Sequence, residues 1–284
     1  MTRIVYLNGE WLPEADAKVS IFDRGFLFAD AIYEVTAVIG GKLIDYPGHK
    51  ARLNRSLSEL GLTSPLSEDE LLAVHREIVR RNNLDEGVIY LQITRGVADR
   101  DFVFPTNAEP TITLFTQAKQ LVNNQRTDSG IAIATLPDLR WQRRDIKTVQ
   151  LLYPSMAKME ARARGADDAW LVEDGFVTEA CSANAHIVTK DGTLVTRELS
   201  TALLHGITRG SILDLARKAG VAVEERAFTV EEAKTAAEAF ITSAGNFATS
   251  VLKIDETVIG DGKPGPVAKK LRELYIEHQL ASAI

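Results

Sequence analysis

The chain reads as an α+β (mixed α/β) protein of two domains, and three observations carry that reading. Short β-rich runs alternate with stretches of helical period along the whole length. The 284 residues lie near the size at which one core gives way to two. Residues 119–129 are polar and without period, which makes them an interdomain linker between an N-terminal domain, 1–118, and a C-terminal domain, 130–284.

The elements follow in order. Residues 3 to 7 alternate like a strand, and Asn8-Gly9 turns the chain into a hairpin. Asp23-Arg24-Gly25 reads as a second turn, before a β-rich run from Tyr33 to Val38. Leu53, Leu57 and Leu60 then mark one helical face, closed by Gly61, with Arg52 beside that face. Ser67 and Glu70 form a capping box that opens a helix to about Asn82. Strand-like runs at 88–95 and 111–117 flank a loop holding Arg100 amid aromatic residues.

Beyond the linker, a strand from Ile131 to Leu136 leads to the stretch Arg140–Leu152, and Pro154 at the first helical position predicts a helix to Gly165. Hairpins turn at Asp174-Gly175, which places Glu179 at a strand end, and at Asp191-Gly192. Gly206-Ile207-Thr208 opens a helix that Gly220 closes, and Thr229 with Glu232 caps another. A strand from Phe240 to Ser243 runs into Ala244-Gly245-Asn246, and a last helix from Pro266 buries Val267, Leu271 and Leu274.

Composition narrows the function. A net charge of −6 argues against nucleic-acid or anionic-membrane partners. Cys181 stands alone, which excludes an internal disulfide framework and fits the reducing cytoplasm. Met1 to Trp11 show no signal peptide, and no apolar run approaches the ~20 residues of a membrane span. Phosphate-loop, dinucleotide, zinc and serine-elbow motifs are missing, so no metal is expected.

The stretch Arg140-Trp141-Gln142-Arg143-Arg144-Asp145-Ile146-Lys147 packs four cations and one carboxylate into eight residues, then turns apolar. A lysine at such an edge is a candidate amine nucleophile, since desolvation and neighbouring cations both favour the neutral amine. The residues equally suit a solvated charge cluster before a buried element. Arg100 reads either as a carboxylate clamp or as a partner of Asp99 or Asp101. The start at Gly206 reads as an anion site or as an ordinary helix cap. Together, a lysine, a distant glutamate, an isolated arginine and a helix start match the needs of a pyridoxal phosphate site: a Schiff-base amine, a partner for the pyridine nitrogen and phosphate anchors.

The sequence resembles the fold-type IV pyridoxal-phosphate aminotransferases, most closely those acting on D-amino acids. The likeness runs through Asp23-Arg24-Gly25, Tyr33-Glu34-Val35, His49 to Leu53, Thr94-Arg95-Gly96 with Arg100, and Arg140-Trp141. It continues through Asp145-Ile146-Lys147, Ala157-Lys158, Thr178-Glu179, Gly206 to Arg209 and Thr242-Ser243. The resemblance implies a small N-terminal α/β domain and a larger cofactor-binding domain with a β-barrel-like core. It also implies a homodimer that takes an amino acid and a 2-oxo acid. Lys147 would bond pyridoxal 5′-phosphate and shuttle a proton, and Glu179 would pair with the pyridine nitrogen. Arg52, Ile207 and Thr208 would hold the phosphate, with Ser243 and Ala244 nearby, and Leu204 would pack on the ring. Tyr33 and Arg100 would trap the substrate carboxylate, Arg100 lent by the second subunit.

Three positions depart from the pattern. Phe102 stands where bacterial relatives carry a histidine, Ala244 where a threonine is expected, and Glu179-Ala180-Cys181 where Glu-Gly-Ser or Glu-Ala-Ser is usual. Phe102 keeps an (R)-selective amine transaminase in view, opposed by Arg100, because a buried arginine without a carboxylate is costly. An aminodeoxychorismate lyase and a branched-chain aminotransferase are further readings on the same fold.

Overall fold

The computed structural model describes residues 2–124, 127 and 129–284. The chain forms two compact units. The first comprises Met1–Gln120 with Ile146–Gln150 and Ser282–Ile284, and the second Leu121–Asp145 with Leu151–Ala281. Part of the expected linker, residues 125, 126 and 128, lies outside the described residues.

In the first unit six antiparallel strands lie in the order β2-β1-β6-β5-β3-β4. They are β1 (Ile4–Leu7), β2 (Glu10–Pro13), β3 (Ala31–Ile39), β4 (Lys42–Leu43), β5 (Glu86–Thr94) and β6 (Thr111–Ala118). Asn8 and Gly9 both adopt positive φ, 47° and 95°, which gives the β1–β2 turn the twist that a two-residue hairpin requires. Asp23-Arg24-Gly25 does not form a simple turn. The Asp23 carboxylate accepts from the Gly25 N–H and caps a short helix, α1 (Arg24–Phe28).

Helices α2 (Tyr46–Glu59) and α3 (Glu68–Arg81) bury Leu53, Leu57, Leu71 and Ile78 in one core with Ile32, Ile89, Leu91 and Leu114. The Ser67–Glu70 capping box is present, both side chains bonding the other's backbone. Gly96, at φ 94°, lets the chain leave β5 against Glu109, whose carbonyl would lie 1.8 Å from an added Cβ.

In the second unit nine strands form one mixed sheet among the described residues, β12-β11-β10-β13-β14-β7-β8-β9, with β15 on β14. They are β7 (Ile131–Pro137), β8 (Asp168–Glu173), β9 (Phe176–Ala180), β10 (Asn184–Val188), β11 (Leu194–Thr196), β12 (Val223–Glu225), β13 (Glu238–Ser243), β14 (Phe247–Ile254) and β15 (Thr257–Val258). This sheet supplies the barrel-like core, with Trp170, Ile187, Val195 and Ile241 inside.

Helices α4 (Leu152–Ala163), α5 (Ile207–Lys218), α6 (Val230–Lys234) and α7 (Pro266–Ser282) accompany the sheet. Helix α4 begins two residues before Pro154, contrary to the expectation that proline opens it. The missing N–H is tolerated at this third position because the first four helical N–H groups have no partner within the helix. Along α7 the buried stripe is Ala268, Leu271, Tyr275 and Gln279; the expected Val267 and Leu274 are only half-buried. Glu238 sets that rotation by accepting the Val267 and Ala268 N–H groups, 2.9 Å each, at the helix start. No helix among the described residues is long and apolar enough to cross a membrane.

Candidate active site

Four of the predicted residues, Tyr33, Arg52, Arg100 and Lys147, belong to the first unit. Lys147 is placed by β3. The β4 strand pairs only with the far end of β3, at Val38 and Ile39, so the near end has room for another partner. Residues 147–149 take it: Tyr33 N–H donates to the Lys147 carbonyl at 3.0 Å and Val149 N–H to the Ala31 carbonyl at 3.2 Å. A hydrogen bond from Lys147 N to Ser56 Oγ, 3.3 Å, ties the same residue to α2.

The half-buried Lys147 side chain lies with Nζ 4.2 Å from the centroid of the Tyr33 ring. That ring stacks on Tyr90, which stacks on Phe115, so an aromatic ladder across three strands backs the amine. Lys147 and Tyr33 are therefore brought together.

Arg52 is buried on α2 and forks Glu34 on β3, Nε to Oε1 at 2.7 Å and Nη2 to Oε2 at 2.8 Å. His49, one turn earlier, places Nδ1 2.8 Å from Glu34 Oε2. Burial pushes the Glu34 carboxyl up, but Arg52 and then His49 override it and hold the group far below the usual carboxylate range. Glu34 was visible in the sequence only as part of a motif. Its signal is parity: it shares the inward face of β3 with Ile32, Thr36 and Val38, where a carboxylate needs a cation.

Arg100 stands on the exposed loop between β5 and β6. Its guanidinium lies over the Phe28 and Phe102 rings at 5.4 and 5.6 Å, and no ion pair joins it to Asp99 or Asp101 among the described residues. The carboxylate-paired alternative is thereby overturned. Asp101 instead offers its backbone carbonyl to Arg24 Nη1 at 2.6 Å, and its Oδ1 to Val103 N. No described contact joins Arg100 to Tyr33.

The other six, Glu179, Leu204, Ile207, Thr208, Ser243 and Ala244, belong to the second unit. Glu179 is the penultimate residue of β9 and is buried. Its Oε1 accepts from Arg140 Nη1 at 2.5 Å, its Oε2 from Asn184 Nδ2 at 3.1 Å, and both oxygens from Leu204 N at 3.2 Å. Burial pushes its carboxyl up; Arg140 and the Leu204 N–H pull the other way without cancelling the rise.

Sequence reasoning missed these partners. Arg140 stands in the sequence only as part of a cation cluster and of the motif Arg140-Trp141, with no role assigned, and Asn184 carries no signal at all. The cluster does not carry surplus charge: Arg140 pairs with Asp138 and Glu179, Arg143 with Asp145, and Arg144 with Glu173.

Ile207 and Thr208 begin α5, whose cap, Gly206, makes no side-chain hydrogen bond. Glycine has no side chain to cap the first N–H groups, and a helix start of this kind can take an anion. Gly206 is required by space, not by φ: a Cβ would lie 1.9 Å from Asn184 Oδ1. Asn184 Nδ2 also donates to the Leu204 carbonyl at 2.8 Å, so it links the helix cap to Glu179. Gly206→Ala should displace that amide, at a cost of about 1–3 kcal/mol for the groups left unpaired. A fall in cofactor affinity with α5 intact, read by fluorescence titration and circular dichroism, is the expected result; unchanged affinity would count against the link. Ser243 ends β13, and its Oγ accepts from Asn246 Nδ2 at 3.5 Å; Ala244 supplies no side-chain donor.

A family model described as amino-transferase class IV matches residues 31–254. The chain belongs to the class IV aminotransferases. It is 38% identical over 277 residues to a D-alanine aminotransferase of Staphylococcus aureus (strain N315), covering 96% of this chain and 98% of that one. A D-alanine aminotransferase of Bacillus licheniformis is 37% identical over 268 residues, 94% of each chain. Among solved structures, the branched-chain aminotransferase of the thermophilic archaeon Thermoproteus uzoniensis, with norvaline, superposes with a TM-score of 0.88. That match has 26% identity and covers 99% of this chain and 96% of that chain.

Proposed function

We propose that this aminotransferase moves the amino group of D-alanine, or a similar D-amino acid, to a 2-oxo acid such as 2-oxoglutarate or pyruvate. The observation that carries the reading is the likeness to D-alanine aminotransferases at 37–39% identity over nearly full length. The branched-chain relatives match in fold at lower identity, 26% for the Thermoproteus uzoniensis enzyme.

The cofactor is pyridoxal 5′-phosphate, and the donor set fits it. The start of α5, with no side-chain cap, offers N–H groups to a phosphate, and a buried carboxylate, Glu179, suits a ring nitrogen. When bound, the cofactor supplies an electron-accepting ring that lets the substrate's α-proton leave. Lys147 Nζ would hold the cofactor covalently and, once the substrate's amine has displaced it, would be free as a base to take and return the substrate's α-proton. Glu179 holds the proton on the ring nitrogen. Ile207 N–H, Thr208 N–H and the Thr208 hydroxyl bind phosphate, joined by Arg52, which Glu34 holds in one orientation, and by Ser243 and Ala244. Leu204 would pack on the ring. Tyr33 and Arg100 take the substrate carboxylate.

Arg100 does this as a residue lent by the partner subunit of a homodimer. Phe22, Phe26, Phe102, Val103 and Phe104 are exposed in its unit, large apolar side chains of the kind that a subunit interface covers. The single cysteine, buried as a thiol, supports a cytoplasmic enzyme.

The deciding assay offers D-alanine with 2-oxoglutarate and measures pyruvate. Pyruvate formation with D-alanine and not L-alanine is expected. Reaction instead with L-leucine or (R)-phenylethylamine would overturn the substrate class. Phe102 is what gives the amine reading weight: it packs edge-on against Phe28, 5.5 Å between centroids, and brings no donor for a carboxylate.

A further inference from the structure

The pairing of Arg140 with two carboxylates extends the reading of Glu179, on which this inference rests. A fully buried carboxyl is driven toward its neutral acid, and burial pushes that of Glu179 up. A neutral acid is a poor partner for a protonated ring nitrogen, so something must hold the charge in place.

Arg140 is built for that task. Its Nε and Nη2 fork Asp138 at 2.9 and 2.7 Å, and Nη1 reaches Glu179 Oε1 at 2.5 Å. Asp138 is itself fixed: Thr178 Oγ1 donates to Oδ2 at 2.7 Å, and Arg144 Nη1 lies 3.5 Å from the same oxygen. Thr178 and Glu179 are adjacent on β9, whose pairing with β8 is irregular between Trp170 and Val172, and the two side chains grip the arginine system at two points. Asp138 alone would neutralise the guanidinium. The third nitrogen is turned to a second buried carboxylate, Glu179.

We infer that Arg140, locked by Asp138 and Thr178, is a positioning residue that keeps Glu179 in the carboxylate form required by the cofactor's ring nitrogen.

The test binds pyridoxal phosphate labelled with 15N in its ring to the wild type and to R140K, R140Q and E179Q. The 15N chemical shift reports whether the ring nitrogen carries a proton, which a merely structural salt bridge would not govern. Wild type and R140K should show a protonated nitrogen; R140Q, which keeps hydrogen bonding but not charge, should show it unprotonated. Cofactor affinity of the R140Q apoenzyme should fall about tenfold as a charge-assisted bond becomes a neutral one. Circular dichroism establishes that each variant is folded, and R140M, which fills the space without polar atoms, replaces R140Q if that variant is not.

A folded R140Q or R140M with a protonated ring nitrogen overturns the inference. If E179Q also leaves the nitrogen protonated, it is the reading of Glu179 itself that fails.

Discussion

Lys147→Ala is expected to slow transamination of D-alanine by at least about a thousandfold, the upper part of the range for removing a proton-transfer group. The variant should still bind pyridoxal phosphate through the phosphate site proposed at the start of α5, because that site does not involve the lysine. Borohydride treatment followed by peptide mass measurement separates the two effects. The wild type should gain the cofactor irreversibly on the peptide holding Lys147, and the variant on no peptide. Retention of the reducible species by the variant would refute the assignment. Lys147→Arg should be as slow, since a guanidinium keeps its proton and supplies no nucleophile. The aromatic ladder under Nζ gives this prediction its structural basis: Tyr33, Tyr90 and Phe115 fix the amine's floor, so alanine leaves a hole and not a substitute base.

The second large effect is on stability. Glu34→Gln should cost about 3–5 kcal/mol, the usual penalty for removing one partner of a buried pair and leaving the other charged. Arg52 is 8% exposed and has its fork on Glu34, and His49 bonds the same carboxylate. The pH dependence follows from the depressed Glu34 carboxyl. Its contribution is fully present above the unfolded value of about 4.3 and is lost as pH falls toward the folded value. Urea unfolding at pH 7 should show the full difference between wild type and variant, narrowing as the pH is taken below about 4. A difference under about 1 kcal/mol at pH 7 would mean that the cluster is solvated in solution. Arg52 should also lose its fixed orientation, so cofactor affinity is expected to fall with stability.

The legible parts of this chain are those set by neighbours a few residues apart. Asn8-Gly9, Asp174-Gly175 and the Ser67–Glu70 box each act within one turn, and each appears where the residues place it. Where local signals compete, the reading slips. Asp23 has the chemistry of a turn and of a helix cap, and the tertiary bond from Arg24 N to the Gly96 carbonyl favours the cap. Leu274 and Val267 fit the helical period as well as Ala268 and Tyr275 do; the distant Glu238 decides between them.

By itself, then, the sequence determined the alternation of strands and helices and the kinds of group available for chemistry: an amine, a carboxylate, an arginine and a helix start. It could not determine which charge answers which. Arg140 and Glu179 are separated by 39 positions, and Glu34 and Arg52 by 18. Charge pairing is decided by distance and burial, and neither exists until the strands have been laid side by side. That is why four cations in eight residues looked like one feature, and why in the fold three of them answer separate carboxylates while Lys147 lies against the Tyr33 ring.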